Sequence, residues 1–569
     1  MDLLIRIAGE AGQGVQTTGN LLVSAFAEMG LHVFAIKSYM SRIRGGLNWF
    51  DVRIGDAPLY AGREPADVLV ALTDEALETL RPYVADAGAV LFDADPEEED
   101  TEAPAGCLCI PLTAIAKETG GSAVMANAVA AGAVFALLGY DLSALTDYFA
   151  TAFEKKGEET VQANTACAEA GADRLGEEAA GSVEAPEPGD EAVTISTGTE
   201  AVGLAAATAG VKVATAYPMT PATGILTYLA GAAEAYGLVV EQAEDEVAAV
   251  NMVCGATYAG VPALTMTSGG GFALMVEGLS LAGILELPVV IVLAQRPGPA
   301  TGLPTRTAQQ DLLFALHAGH GEFPRAVFAP GTPEQAYRLT RRALETAHRY
   351  QTPVLLMTDQ YLADLVMDTP RLDERLRPID RHVVADAGED YVRYAVTDDG
   401  VSPRALPGGE ARVVLDSDVH TEDGHITEDL EAHVRLQDKR MRKLAGLTAD
   451  ALAPERYGPA DAARLLLCWG STWGPCREAV DALNAGGASA AMLHFAQVWP
   501  LEADAVRRAV GLEGEEAEAP EAITVVEANQ TGQFRQVLAE AGVPMECESL
   551  TRYDGLPFTA ADIVKRIQT

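Results

Sequence analysis

The sequence predicts a multidomain α/β protein, and three observations carry that prediction. Short Val/Ile/Leu runs alternate with segments of helical period along most of the chain. Alternation of this kind implies parallel sheets with helices on their faces. At 569 residues the chain is too long for one hydrophobic core, which sets the expectation at three to four domains. Hydrophobic residues make up 49%, with abundant Gly and Ala, a balance that suits packed layers rather than disorder. The expected division is an α/β domain over 1–176, a linker over 177–191, a second α/β domain over 192–365, a connecting segment over 366–458 and a small α/β domain over 459–569.

The first domain opens as strand, Gly-rich turn and helix: Leu3 to Ala8, then Gly9-Glu10-Ala11-Gly12-Gln13-Gly14, then Val15 to Met29. Further strands are expected at His32–Ile36, Val68–Leu72 and Ala89–Phe92, giving a parallel sheet. Glu177 to Glu191 is rich in Glu, Ala, Gly and Pro and predicts a linker that buries little. A new pattern starts at Val193, with strands near Val211–Thr215, Val239–Glu241, Ala263–Thr267, Val289–Ala294 and Val354–Thr358. Asp368 to Tyr457 is charged and irregular around one Arg- and Lys-rich helix, His433–Leu444. The last unit begins at Pro459, with strands at Leu465–Trp469 and Ile523–Glu527.

The formal net charge of -42 argues against nucleic acid or an anionic membrane surface as a partner. Adaptation to high salt and a plain acidic composition bias explain that charge equally well. Seven cysteines in a chain of this length make no disulfide scaffold, and no Cys-x-x-Cys or cluster-ligand run is present. Cys107-Leu108-Cys109 is too close-set for a tetrahedral metal site, so no metal ligands are assigned. Without a signal sequence or a bilayer-length apolar run, the expected location is the cytoplasm.

Four stretches of the second domain point to chemistry. In Tyr217-Pro218-Met219-Thr220-Pro221 two prolines hold the backbone extended at a strand's end, where open α/β sheets bind ligands. The plainer reading makes Thr220 a helix N-cap. Glu241-Gln242-Ala243-Glu244-Asp245-Glu246 precedes an Ala/Val-rich helix. These acids either complement the helix dipole or turn one carboxylate inward toward a cofactor nitrogen. Thr267-Ser268-Gly269-Gly270-Gly271-Phe272 lets a ligand or another backbone approach closely, or is merely a flexible turn; with no Lys-Ser/Thr pair it is not a P-loop. Finally, Gln295-Arg296-Pro297-Gly298-Pro299-Ala300-Thr301-Gly302-Leu303-Pro304-Thr305 offers a guanidinium and two hydroxyls as a carboxylate clamp, against a bland reading as a surface loop.

In this order the four stretches resemble the pyrimidine-binding domain of the α subunit of 2-oxoacid:ferredoxin oxidoreductases, a thiamine diphosphate family. That family's pattern is Tyr-Pro-Ile-Thr-Pro, a Glu-rich junction, Thr-Ser-Gly-Pro-Gly-Phe, and Arg followed by Gly-Pro-Ser-Thr-Gly-x-Pro-Thr. This chain departs at Met219, Gly270, Pro297 and Ala300. Gly9 to Gly14, with Arg44-Gly45-Gly46, resembles the family's γ subunit, although Ala11 stands where a Gly is usual. The order of these glycines is not that of the dinucleotide fingerprint. Trp469-Gly470-Ser471-Thr472 and Val525 to Gln533 are similar to a second, transketolase-C-like α-subunit domain, and Asp423-Gly424-His425 with Asp438 to Leu444 matches the connecting segment.

The resemblance implies a fused γ–α subunit that decarboxylates a 2-oxoacid oxidatively, with CoA as acyl acceptor and ferredoxin as electron acceptor. It leans toward 2-oxoglutarate, with pyruvate, branched-chain substrates or a non-catalytic subunit as alternatives. The sequence contains no Gly-Asp-Gly motif. The diphosphate, Mg²⁺ and a [4Fe-4S] cluster are therefore expected on a separate β subunit, the whole as (αβ)₂. The resemblance assigns Glu246 as the catalytic carboxylate on the aminopyrimidine N1′, with Glu244 as the alternative two residues away. It assigns Thr220, Arg296, Thr301 and Thr305 to the substrate, and Tyr217, Pro218, Ser268, Gly269 and Phe272 to the cofactor. Gly9, Gly12, Gly14, Arg44 and Gly45 are assigned to the approach of CoA.

Overall fold

The computed structural model describes all residues except 41–44, 96–103, 178, 514–518 and 569. It divides into two compact units: Met1–Ser196 with Asp364–Arg371, and Thr197–Ala363 with Leu372–Thr569. Among the described residues, no helix is long and apolar enough to cross a membrane.

The first unit is built on strands β1 (Asp2–Glu10), β2 (His32–Ser38), β3 (Leu47–Gly55), β4 (Ala66–Ala71), β5 (Val84–Phe92) and β6 (Leu108–Cys109). Two short segments, β7 (Ile195–Thr197) and β14 (Val366–Asp368), complete its sheet in the order β6-β5-β4-β1-β3-β2-β14-β7. The expected parallel sheet accounts for only half of it. β1, β4, β5 and β6 run parallel, whereas β3 lies antiparallel to both β1 and β2. The sequence hid β3 because Asp51 and Arg53 interrupt its apolar run. Both are buried and paired, with Arg6 donating to the two Asp51 oxygens at 2.7 and 2.8 Å and Arg53 donating to the Ala61 carbonyl at 2.7 Å. A buried charge is tolerated when it is paired and hydrogen-bonded. The Glu/Pro-rich stretch expected to be a linker is fastened to this unit. Gly181 N–H donates to the Ala136 carbonyl at 2.9 Å, and Val183 and Ala185 pack against its core.

The second unit contains two sheets. The larger has the order β18-β12-β13-β11-β10-β8-β9, comprising β8 (Val213–Ala216), β9 (Val239–Gln242), β10 (Ala263–Thr267), β11 (Val290–Gln295), β12 (Ala326–Phe328), β13 (Val354–Asp359) and β18 (Gln497–Trp499). All are parallel except β18, which the C-terminal region adds at the edge. The chain passes from β8 outward to β9 and returns on the other side of β8 to β10. The order therefore reverses between β8 and β10, which is where open α/β sheets hold ligands. The smaller sheet runs β15 (Glu455–Tyr457), β17 (Ala490–Phe495), β16 (Arg464–Trp469), β19 (Ala522–Glu527) and β20 (Glu548–Thr551), and shares one continuous apolar core with the larger.

The connecting helix extends over Leu430–Ala449, longer at both ends than its charge pattern predicts. Two of its lysines are not surface residues. Lys439 and Lys443 are fully buried on either side of Glu286: Lys439 Nζ donates to both Glu286 oxygens at 2.8 Å, and Lys443 pairs with the same carboxylate. Burial alone would raise the Glu286 pKa, yet Lys443 and Lys439 hold it below the usual carboxylate range. The motif Asp438 to Leu444 is thus a structural rivet between the connecting segment and the larger sheet.

Candidate active site

Four adjacent strands each deliver one motif at their carboxyl ends. β8 leads into Tyr217–Pro221, β9 into Glu246, β10 into Ser268–Gly271 and β11 into Arg296. Stretches spread over some eighty residues are thereby gathered around one switch point.

At the first of these the Thr220–Pro221 peptide is cis, and the following helix begins only at Thr223, with Ala222 as N-cap. Thr220 is therefore no helix cap. Its carbonyl accepts a hydrogen bond from Arg296 at 2.7 Å, which joins two of the predicted substrate residues. Tyr217 stays 41% exposed beside them.

At the second, Asp245 caps the helix Glu246–Tyr258 by accepting from Ala248 N–H at 2.7 Å. Capping is thus done by Asp245, which frees Glu246 for another task. Glu246 turns inward and is only 3% exposed, while Glu244 is exposed. The buried Glu246 Oε1 has no hydrogen-bond partner. An unpartnered buried carboxylate oxygen is expensive unless a ligand completes it.

The triple glycine proves to be the first turn of the helix Gly269–Ile284, and none of the three has positive φ. Two of them are required for space rather than for flexibility. A Cβ on Gly271 would lie 2.1 Å from Thr267 Oγ1 and 2.5 Å from Glu246 Oε1; one on Gly269 would lie 2.5 Å from Asp311 Oδ2. Gly270 faces open space, its nearest neighbour being the Ala300 carbonyl at 3.8 Å. Phe272 falls on the inner face, fully buried and edge-on to Phe314 at 5.0 Å. Ser268 Oγ and Asp311 Oδ2 are buried beside this turn without partners. Burial raises the Asp311 pKa to about 6.

The Arg296 loop folds back on itself, Leu303 N–H donating to the Pro297 carbonyl at 3.0 Å. Thr305 is half-buried, whereas Thr301 is exposed. In the first unit, Gly12 and Gly14 adopt positive φ, while Ala11 does not, so its side chain adds no strain to the turn. Gly12, Gln13, Gly14, Thr17, Asp93, Thr113 and Asn127 are among the residues lining a cavity of about 350 Å³. Gly9 is buried behind this loop and Gly45 is half-buried; Arg44 lies outside the described residues.

Comparison with known proteins bears on the whole chain. The family model described as pyruvate ferredoxin/flavodoxin oxidoreductase matches residues 4–174, and that described as pyruvate flavodoxin/ferredoxin oxidoreductase, thiamine diP-bdg, matches 204–439. The 2-oxoacid:ferredoxin oxidoreductase subunit alpha of Saccharolobus solfataricus is 31% identical, over 94% of this chain and 92% of that one. The chain belongs to the 2-oxoacid:ferredoxin oxidoreductase family. Also similar is the 2-oxoglutarate oxidoreductase subunit KorA of Mycobacterium tuberculosis, 29% identical over 100% of this chain and 91% of that one. A solved 2-oxoglutarate:ferredoxin oxidoreductase from Magnetococcus marinus, with 2-oxoglutarate, coenzyme A and succinyl-CoA bound, superposes with a TM-score of 0.90. It is 32% identical and covers 100% of this chain and 99% of that one.

Within this 2-oxoacid:ferredoxin oxidoreductase chain, the thiamine diphosphate-binding domain therefore contains the switch point described above. The residues present suit an aminopyrimidine: an inward carboxylate with a free oxygen, and a glycine-walled cradle beside it. Sequence reasoning missed Asp311 and the pair Gln309-Gln310. Gln309 is caged by the C-terminal motifs, its amide donating to the Trp469 carbonyl at 2.7 Å and accepting from Ala528 N–H at 2.9 Å. Glu527 and Asn529, prominent in the Val525–Gln533 motif, bond to each other at 2.6 Å and brace that cage. The motif lies in one stretch of sequence, but its partners are more than 200 residues away.

Proposed function

We propose that the chain is the α-type subunit, with a fused γ-type domain, of an enzyme that converts a 2-oxoacid and CoA to acyl-CoA and CO₂ while reducing ferredoxin. The observation that carries this reading is the buried Glu246 oxygen, unpartnered against Gly271, at the same switch point as an Arg296 anchored on the Thr220 carbonyl. Thiamine diphosphate supplies the electron sink for decarboxylation when bound. Glu246 holds the proton shared with the aminopyrimidine N1′, and the glycine wall keeps that carboxylate in place. Arg296 and Thr305 take the substrate carboxylate, with Thr220 and Thr301 beside them. A guanidinium suits a carboxylate because its planar fork makes two parallel hydrogen bonds.

The absence of Gly-Asp-Gly from the sequence supports a partner subunit that carries the diphosphate, Mg²⁺ and an iron–sulfur cluster. So do the exposed apolar side chains of Tyr217, Val247, Met252, Leu274 and Leu303 on the elements that form the site. Exposed apolar side chains on several elements around one site suit an interface. The Gly12–Gly14 cavity is the site proposed for the approach of CoA. The similarity to the 2-oxoglutarate oxidoreductase of Mycobacterium tuberculosis and to the 2-oxoglutarate-bound structure from Magnetococcus marinus favours 2-oxoglutarate as substrate. The test is steady-state turnover of the complex purified from co-expression with its partner, using a panel of 2-oxoacids, CoA and a viologen acceptor. CoA-dependent reduction with 2-oxoglutarate as the best substrate is the expected result, and no reduction with any 2-oxoacid would refute the reading.

A further inference from the structure

We propose that Gln533, in the C-terminal domain, is a positioning residue that aims Arg296 at the substrate. This rests on the reading of Arg296 given above. The side chain of Arg296 is held at one end by the Thr220 carbonyl. Its main chain is held at the other end by an amide relay. Gln310 Nε2 donates to the Arg296 carbonyl at 3.3 Å, and the same nitrogen lies 2.9 Å from where a Gly298 Cβ would be. Next along, Asp311 N–H donates to Gln295 Oε1 at 3.1 Å, fixing the residue before the arginine.

Gln533 grips the segment that makes both contacts. Its Nε2 donates to the Gln310 carbonyl at 2.7 Å and its Oε1 accepts from Leu313 N–H at 3.0 Å, so one amide spans the turn that carries Gln310 and Asp311. Gln533 itself is 9% exposed and locked from behind. Asn529 Oδ1 accepts from its N–H at 3.4 Å, and Glu527 accepts from Phe534 N–H at 3.0 Å. An amide that is both donor and acceptor, and that cannot turn, sets the position of what it holds. The C-terminal domain thus acts on the substrate arginine across the sequence without contacting the substrate. A loop stiffened by Pro297 and Pro299 transmits a shift at its base instead of absorbing it.

The experiment uses the assembled enzyme. Gln533→Glu keeps the length and the acceptor for Leu313 N–H but replaces the donor to the Gln310 carbonyl with an oxygen. Gln310→Met removes the donor to Arg296 without adding charge, and serves if the first variant fails to fold. Each is expected to lower kcat/KM about tenfold for every 2-oxoacid, chiefly through KM, leaving the KM for CoA unchanged. In an Arg296→Lys background either change should add less than about twofold, because residues acting through one another are not additive. Amide hydrogen exchange over 296–310 should quicken in both variants. An equal loss in the Arg296→Lys background, or unchanged exchange in soluble protein, overturns the relay. Faster exchange together with an Arg296→Lys enzyme that works normally would uphold the relay and refute the substrate role of Arg296.

Discussion

Glu246 and Glu244 are two residues apart, yet only one can serve a buried cofactor nitrogen. Glu246 is the residue just inside the helix start, with Asp245 absorbing the capping role. Replacing Glu246 with Gln keeps the shape but removes the ionisable group, so proton exchange at thiamine C2 in the assembled enzyme should slow by about two orders of magnitude or more. Glu244→Gln should leave exchange near the parent rate; the reverse pattern would transfer the role to Glu244. Arg296→Lys replaces a five-donor fork with a point charge. A carboxylate common to all 2-oxoacids predicts a common loss, about 1.5–3 kcal/mol or roughly ten- to more than a hundredfold in kcat/KM. A loss confined to 2-oxoglutarate would assign Arg296 to the distal carboxylate instead.

The helix Gly269–Ile284 shows how an element can be shaped by its neighbours. Glycine is a poor helix former, so three at one helix start are a local disadvantage. Packing explains two of them: Glu246 Oε1 and Thr267 Oγ1 occupy the space of a Gly271 side chain, and Asp311 Oδ2 that of Gly269. Gly271→Ala would favour the helix but push the carboxylate aside. The expected outcome is a normally folded chain by circular dichroism, with thiamine diphosphate affinity in the assembled enzyme lowered at least tenfold by calorimetry; each tenfold corresponds to about 1.4 kcal/mol. Gly270→Ala, which meets only open space, is the control, and equal loss in both variants would count against the crowding argument.

For the whole molecule, acid stability follows from a balance among buried groups. Burial pushes His348 and His494 down to about 3, so the unfolded chain binds protons that the folded chain refuses. Their contribution is complete above about pH 6.5 and is lost as pH falls toward 3. Asp311 and Asp359 have the opposite sign: burial raises both to about 6, so the folded chain takes up protons first and gains stability as pH falls from 6 toward 4. The two pairs offset one another between about pH 4 and 6, and the loss of stability is concentrated below that window. Urea midpoints of the purified chain against pH should be nearly flat there and fall steeply below it. Asp359→Asn should uncover a slope between pH 4 and 6, and a slope already present in the parent chain would contradict the balance.

The sequence by itself determined the α/β class, the order of the motifs and the family they resemble, because strand period and turn chemistry are local. The pairs Tyr217-Pro218 and Thr220-Pro221 restrict their own backbone, and the apolar run Val289–Ala294 forms a strand in any α/β context. Tertiary structure alone decided the rest. It hid Asp51 and Arg53 inside a strand, buried Lys439 and Lys443 around Glu286, and turned Phe272 into the core. It also brought Gln533 to Gln310 across 223 residues. Whether a charge is buried or an amide is satisfied depends on partners far along the chain, and no local pattern in the sequence contains them.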